Sequence, residues 1–205
     1  MKSIAVFVLG RPGSGKDTQA DIVAKNLKLI RVSTSDLLKE RLYGPGADEN
    51  PETVKEREIF ESGLLCTPSW VLSVIKDFIK EKAKNNFDGK NGLIFSGSPR
   101  TPYESENLIP FLEDIFDKKN LFPVYLDITE EVGIERIIER NKLNPRPLDE
   151  GEDKLKLRTK EFYEKTWPAI QQFEEKGIPL IKVDGTSSID VVAKSIQEAM
   201  EERMQ

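Results

Sequence analysis

Between an apolar run and a helix-patterned segment this chain carries Gly10-Arg11-Pro12-Gly13-Ser14-Gly15-Lys16, and that heptapeptide limits the fold more than any other stretch. The residues before it, Ile4 to Leu9, are continuously apolar and rich in β-branched side chains, the pattern of a strand covered on both faces. After it, Ala20, Ile22, Val23, Ala24 and Leu27 recur at near-helical spacing between Asp17 and Leu27. A buried strand, a glycine turn and a helix form the setting in which a G-x4-G-K sequence cradles phosphate. Glycines let successive backbone N–H groups converge on one anion, the helix N-terminus adds partial positive charge, and Lys16 supplies a mobile cation.

The alternation continues down the chain. Strand patterns at Leu29 to Val32, Leu93 to Phe95, Pro123 to Ile128 and Pro179 to Val183 are separated by helical stretches that include Ser69 to Lys84, Glu130 to Arg140, Asp153 to Glu175 and Ser188 to Met204. Five strands alternating with helices predict an α/β chain of the P-loop NTPase fold, with a five-stranded, doubly wound parallel sheet. Two places break the rhythm. About sixty residues separate the second and third strands, too many for one crossover. Gly44-Pro45-Gly46 followed by Asp48-Glu49-Asn50-Pro51 interrupts them, and an inserted helical cap is expected over about 33–68. Asn144-Pro145-Arg146-Pro147 predicts a short lid over about 141–151. The expected organisation is one domain over 1–205, its core made of 1–32, 86–140 and 152–205.

Composition narrows the chemistry. The chain has 205 residues and no histidine, which excludes a Ser/His/Asp or Cys/His relay and a histidine general base. Its single cysteine, Cys66, excludes an intrachain disulfide or a cysteine-built zinc site and fits a reducing compartment. Thirty-one cationic against 36 acidic residues leave a net charge of −5, so the bulk field repels polyanions and a phosphate must meet a local cationic pocket. The apolar run at 4–9 is too short for a signal-peptide core and no stretch reaches membrane-spanning length. The expectation is a cytoplasmic monomer that binds neither nucleic acid nor membrane.

Where most G-x4-G-K sequences continue with Ser or Thr, this one has Asp17 and then Thr18. The string GRPGSGKDTQ resembles the signature of the adenylate kinase family, nucleoside monophosphate kinases, and the resemblance extends over nearly the whole chain. Ser33-Thr34-Ser35-Asp36-Leu37-Leu38-Lys39, Gly63-Leu64-Leu65-Cys66-Thr67-Pro68, Gly97-Ser98-Pro99-Arg100-Thr101, Arg136 with Arg140, Arg146, Arg158, Thr166-x-Pro168 and Val183-Asp184-Gly185-Thr186 follow in the family order. The lid is the short form, without zinc-binding cysteines.

That resemblance implies a Mg²⁺-dependent transfer of the γ-phosphoryl of ATP to a nucleoside monophosphate, AMP above all. It implies that ATP lies on Gly13, Ser14, Gly15, Lys16, Asp17 and Thr18, with Arg136, Arg140 and Ser187 nearby. The acceptor would meet Thr34, Ser35, Lys39, Leu64, Leu65, Cys66, Gly97, Ser98, Pro99, Arg100, Glu104, Arg146 and Arg158. Lys16, Arg100, Arg140, Arg146 and Arg158 would clamp the transferring group. The chain has ten arginines against 21 lysines, and five of the ten fall at these positions. An arginine fork grips phosphate bidentately and keeps its proton. Taken alone, Arg136 and Arg140 beside Glu135 and Glu139 also read as an ordinary charged helix face.

Departures from the family pattern leave alternatives open. Ser96 stands where relatives have an Asp that holds the Mg²⁺ water shell; Asp17 either supplies that carboxylate through water, with Thr18 beside it, or is a favourable first-turn acid. Lys39 replaces an arginine, Ser98 an aromatic residue, and Glu104 the glutamine that reads the acceptor adenine. A carboxylate only accepts hydrogen bonds, which favours AMP, then CMP, over UMP. The alternatives are a CMP/UMP kinase of the same fold and a nucleotide-binding regulator with weakened turnover. Without histidine, activity is expected to stay flat between about pH 6.5 and 8.5.

Overall fold

In the computed structural model, which describes residues 3–84, 92–144 and 151–204, five parallel strands form one sheet. They are β1 (Ala5–Leu9), β2 (Ile30–Ser33), β3 (Leu93–Ser96), β4 (Leu121–Asp127) and β5 (Ile181–Asp184), in the order β2-β3-β1-β4-β5. The strand alternation in the sequence is borne out, with ends that differ by up to two residues. β1 is central because it is buried along its whole length. Its side chains alternate between two cores: Ala5, Phe7 and Leu9 enter one, Val6 and Val8 the other.

Helices cover both faces. In chain order they are α1 (Lys16–Leu27), α2 (Thr34–Tyr43), α3 (Pro51–Glu61), α4 (Pro68–Lys84), α5 (Pro102–Phe116), α6 (Glu130–Leu143), α7 (Glu152–Glu161), α8 (Trp167–Glu175) and α9 (Ile189–Met204). Ala20 and Val23 of α1 join Val192, Ile196 and Met200 of α9 on the Val6 face. On the other face α4, α5 and α8 pack through Trp70, Ile75, Leu108, Leu112, Ile170 and Phe173. Phe7 stacks on Phe95 at 4.8 Å between ring centroids and meets Phe173 edge-on at 4.9 Å. Truncating such a fully buried phenylalanine costs about 3–5 kcal/mol.

The sheet positions the site. The strand order reverses at β1, with β2 and β3 on one side of it and β4 and β5 on the other, so the crevice beyond its carboxyl end is the place where open α/β sheets take ligands. Helices α2 and α3 lie between β2 and α4, where the sequence predicts an inserted cap. The predicted lid falls between α6 and α7, and its residues 145–150 lie outside the described ones. The segment expected as one helix from Asp153 to Glu175 is instead α7, a π-helical turn over Phe162–Thr166 and α8. Pro168 explains the break. It has no N–H for the carbonyl of Glu164 and its ring crowds that carbonyl. The widened turn lets the Trp167 N–H reach the Phe162 carbonyl, five residues back.

Candidate active site

The phosphate loop runs from Gly10 at the end of β1 to Lys16 at the start of α1. Gly13 and Gly15 take φ of 80° and 84°, left-handed values that aim neighbouring N–H groups to one side. Gly15 caps α1 without a side-chain hydrogen bond, so the first-turn N–H groups are available to an anion. A second constraint acts on Gly13: a Cβ there would run into the Gly133 carbonyl oxygen, and a Cβ on Gly133 would lie 2.6 Å from that of Pro12. The first turn of α6 therefore rests directly on the loop.

Four of the predicted cations meet there. Burial, with Arg100, Arg158 and Arg140 adding repulsion, pulls the Lys16 ammonium down to about 8, against the attraction of Asp17. So many permanent cations around one lysine suit a polyanion. Arg136 stands apart and holds the loop after β5: Nη1 donates to the Gly185 carbonyl at 2.8 Å and Nη2 to that of Thr186 at 3.3 Å, next to the exposed Ser187. Arg140 Nη2 donates to Asn141 Oδ1 at 3.3 Å. Arg146 lies outside the described residues.

The side where the sequence predicts the acceptor is built from hydroxyls and one carboxylate. Gly97 has φ of 87°, and a Cβ on it would come within 3.1 Å of Arg100 Nη2, so the guanidinium folds back under the turn. Thr34 Oγ1 donates to Ser98 Oγ at 2.9 Å, and Ser98 Oγ donates to Glu104 Oε2 at 3.3 Å. The same oxygen accepts from the Arg100 N–H at 2.9 Å, while Glu104 Oε1 accepts from Thr101 Oγ1 at 3.2 Å. Burial pushes the Glu104 carboxyl up; the Arg100 N–H and guanidinium and the two hydroxyls act in the opposite direction. Pro99 is buried, Ser35 and Leu65 are half-buried, and Leu64 and Lys39 are exposed. Cys66 donates to the Glu56 carbonyl at 3.6 Å, and burial beside Glu56 pushes its thiol up to about 12, so no thiolate forms near neutrality.

The sequence profile of the adenylate kinase family, described as "Adenylate kinase", matches residues 8–178. The chain belongs to the adenylate kinase family. Among its relatives, an adenylate kinase of Thermus thermophilus is 32% identical over 196 residues, covering 96% of each chain. A uridylate kinase of Saccharomyces cerevisiae is 29% identical over 199 residues, covering 97% of this chain and 91% of its own. This member of the family is thus a phosphotransferase, a nucleoside monophosphate kinase, and the resemblance seen in its motifs is borne out. Among the described residues no helix is long and apolar enough to cross a membrane.

Within this kinase the two positions that depart together from the family pattern touch one another. Ser96 Oγ, at the buried end of β3, donates to Asp17 Oδ1 at 2.5 Å. Arg31 Nη2 lies 3.6 Å from the same oxygen and its Nε donates to Asp21 at 2.8 Å. Burial pushes the Asp17 carboxyl up, but Lys16, the Ser96 hydroxyl and Arg31 outweigh it and hold it below the ordinary aspartate range. Thr18 is exposed one residue on.

Other residues at the site escaped the sequence reading. Gly133 carried one signal, a glycine inside a helical pattern, which marks a close approach. Tyr163 carried none, and although Arg11 and Thr166 fall within motifs, nothing there signalled their contacts, which join segments far apart in the chain.

Proposed function

We propose that this kinase transfers the γ-phosphoryl of ATP to AMP and releases two molecules of ADP. The observation that carries the reading is the convergence of Lys16, Arg100, Arg140 and Arg158 on the phosphate loop. An oxygen of the AMP phosphate attacks the γ-phosphorus in line, and the bond to the β,γ-bridging oxygen breaks. That oxygen leaves with ADP, so the chemical step needs no proton relay and no histidine. The loose transition state spreads negative charge over the transferring oxygens, where permanent cations and oriented N–H groups act best. In this reading Gly13 to Thr18 hold the ATP phosphates, Arg136 and Ser187 flank the donor adenine, and Arg146 joins the clamp.

The residues present fit Mg²⁺, because Asp17, Ser96 and Thr18 offer oxygen donors alone, the set that a hard cation takes through its water shell. Asp17 would hold such a shell beside the ATP phosphates, and the ion would neutralise charge on the β- and γ-oxygens. Asp17→Ala is expected to raise the Mg²⁺ concentration for half-maximal activity at least tenfold; an unchanged Mg²⁺ dependence would remove Asp17 from this role.

AMP is favoured because Glu104, as an acceptor-only carboxylate, draws the Ser98 and Thr34 protons toward itself and leaves hydroxyl lone pairs for an amino group. CMP presents the same amino donor and is the second reading. The test is a coupled assay with ATP, Mg²⁺ and each of AMP, CMP, UMP and GMP. AMP is expected to give the highest kcat/KM; phosphoryl transfer to none of them would favour a nucleotide-binding regulator.

A further inference from the structure

The π turn Phe162–Thr166 touches both halves of the site at once. On the donor side, Arg11 is the second residue of the phosphate loop, and its Nη1 donates to the Tyr163 hydroxyl at 3.1 Å. The guanidinium lies 5.6 Å from the Tyr163 ring centroid and 5.9 Å from that of Phe162, within cation–π range. The Tyr163 hydroxyl donates in turn to Glu130 Oε2 at 3.3 Å, on the first residue of the helix that rests on Gly13. On the acceptor side, Thr166 Oγ1 donates to the backbone carbonyl of Arg100 at 3.1 Å. Immediately upstream, α7 carries Arg158. Trp167 anchors the downstream end, edge-on to Tyr125 of β4 at 5.3 Å.

We infer that this π turn is a brace that fixes the distance between the donor and acceptor phosphate clamps, with Arg11 and Thr166 as positioning residues that each hold one clamp. The inference rests on the kinase reading above. Widening a helix by one residue is unfavourable unless the contacts it makes repay it, and π turns gather at functional sites for that reason. Removing the extra residue would rotate Thr166 by about 100° relative to Tyr163, so the two contacts could not both form. The two phosphates must meet at near-attack distance, where a misplacement of about 1 Å costs on the order of a hundredfold in rate. A brace spanning both clamps acts on that distance and leaves each binding site intact.

The test uses the full chain and two variants that delete one hydroxyl each, Tyr163→Phe and Thr166→Val. Calorimetry measures binding of ATP alone, AMP alone and diadenosine pentaphosphate, a single molecule long enough to occupy both sites. The expected result is mononucleotide affinity within about twofold of the parent, with pentaphosphate affinity and kcat each reduced about tenfold. The double variant is expected to lose no more than the worse single one, since either cut releases the same spacing. Thr166→Ser should restore both quantities. Equal weakening of all three ligands, or variants that keep the parent's preference for the pentaphosphate, would overturn the brace alone. A parent protein that binds the pentaphosphate no more tightly than ATP would overturn the kinase reading, and the brace with it.

Discussion

The two sides of the crevice, proposed above to take donor and acceptor, are built by different means. The donor side is made of backbone: glycines in left-handed conformations, uncapped N–H groups at the start of α1, and a glycine-to-glycine contact that seats α6 on the loop. The acceptor side is made of side chains, with Thr34, Ser98, Thr101 and Glu104 satisfying one another in a buried network and Arg100 folded beneath Gly97. Backbone geometry recognises what every nucleoside triphosphate shares. Side-chain polarity distinguishes one base from another, and a single substitution resets it. The donor half should therefore fail through shape and the acceptor half through hydrogen-bond direction.

The largest effect is expected at Gly133, where the two backbones meet. A Cβ at this position would stand 2.6 Å from the Pro12 carbonyl, so Gly133→Ala must push α6 off the phosphate loop. Overpacking of this kind costs about 1–3 kcal/mol. Alanine returns up to about 1 kcal/mol in helix propensity, so global stability should change little. Affinity for ATP should nevertheless fall about 10–100-fold, the overpacking cost read as binding, while AMP affinity stays within about twofold. Titration of each nucleotide separately makes the comparison. Equal losses on both sides would mean that the two halves are not independent.

A smaller and differently shaped effect is expected at Glu104. AMP and IMP differ in an amino group against an oxo group and, with it, in a ring nitrogen that accepts in one and donates in the other; CMP and UMP differ in the same way. If the carboxylate sets the polarity of the acceptor side, the parent should prefer AMP to IMP and CMP to UMP in kcat/KM by at least about tenfold, the value of one mispaired polar group. Glu104→Met keeps the length of the side chain and removes the acceptor. It should compress both ratios to within a few-fold and leave the KM for ATP unchanged. Ratios that survive the substitution would confine Glu104 to holding the Gly97–Arg100 turn.

How much of this was legible in the sequence follows the same division. The donor loop was readable because its glycines and Lys16 are contiguous and sit between a strand and a helix that each announce themselves by periodicity. The five strands were readable for the same reason, since each is a short apolar run bounded by turns. The π turn was not. Its cause, Pro168, is visible, but whether a proline breaks, kinks or widens a helix depends on what packs against it, here Arg11, Tyr125 and Arg100 from three other segments. α5 was hidden in part by Pro110 in its interior. At the acceptor side the residue types were visible, but not that Glu104 would be enclosed by its own loop. That depends on the left-handed turn at Gly97, which brings Ser98 and the Arg100 N–H round to one carboxylate.

The smallest expected effect concerns pH, and it corrects an inference from composition. A chain without histidine was expected to show no enzyme-borne titration between about pH 6.5 and 8.5. Burial among Arg100, Arg158 and Arg140 instead brings Lys16 to about 8 in the free protein, inside that window. The sign follows from which state holds the proton. Below pH 8 both folded and unfolded chains carry it, and the folded chain bears the full cost of confining a fourth cation. Between about 8 and the ordinary lysine value the unfolded chain keeps a proton that the folded chain has released, so stability rises with pH across that interval. Lys16→Met has no such proton, so the free variant should melt above the parent at pH 7 and the gap should narrow by about pH 9.5. In the proposed reading, bound ATP would supply negative charge beside Lys16 and restore the ammonium. At pH 8.5 ATP binding should therefore take up about half a proton or more, and at pH 7 close to none. Calorimetry in two buffers of different ionisation enthalpy reads this directly, as a heat that depends on buffer at pH 8.5 only. Uptake that persists in Lys16→Met would assign the proton to another group. The acceptor half offers a control, because in the proposed reading AMP bound alone would meet the permanently charged Arg100 and should take up less.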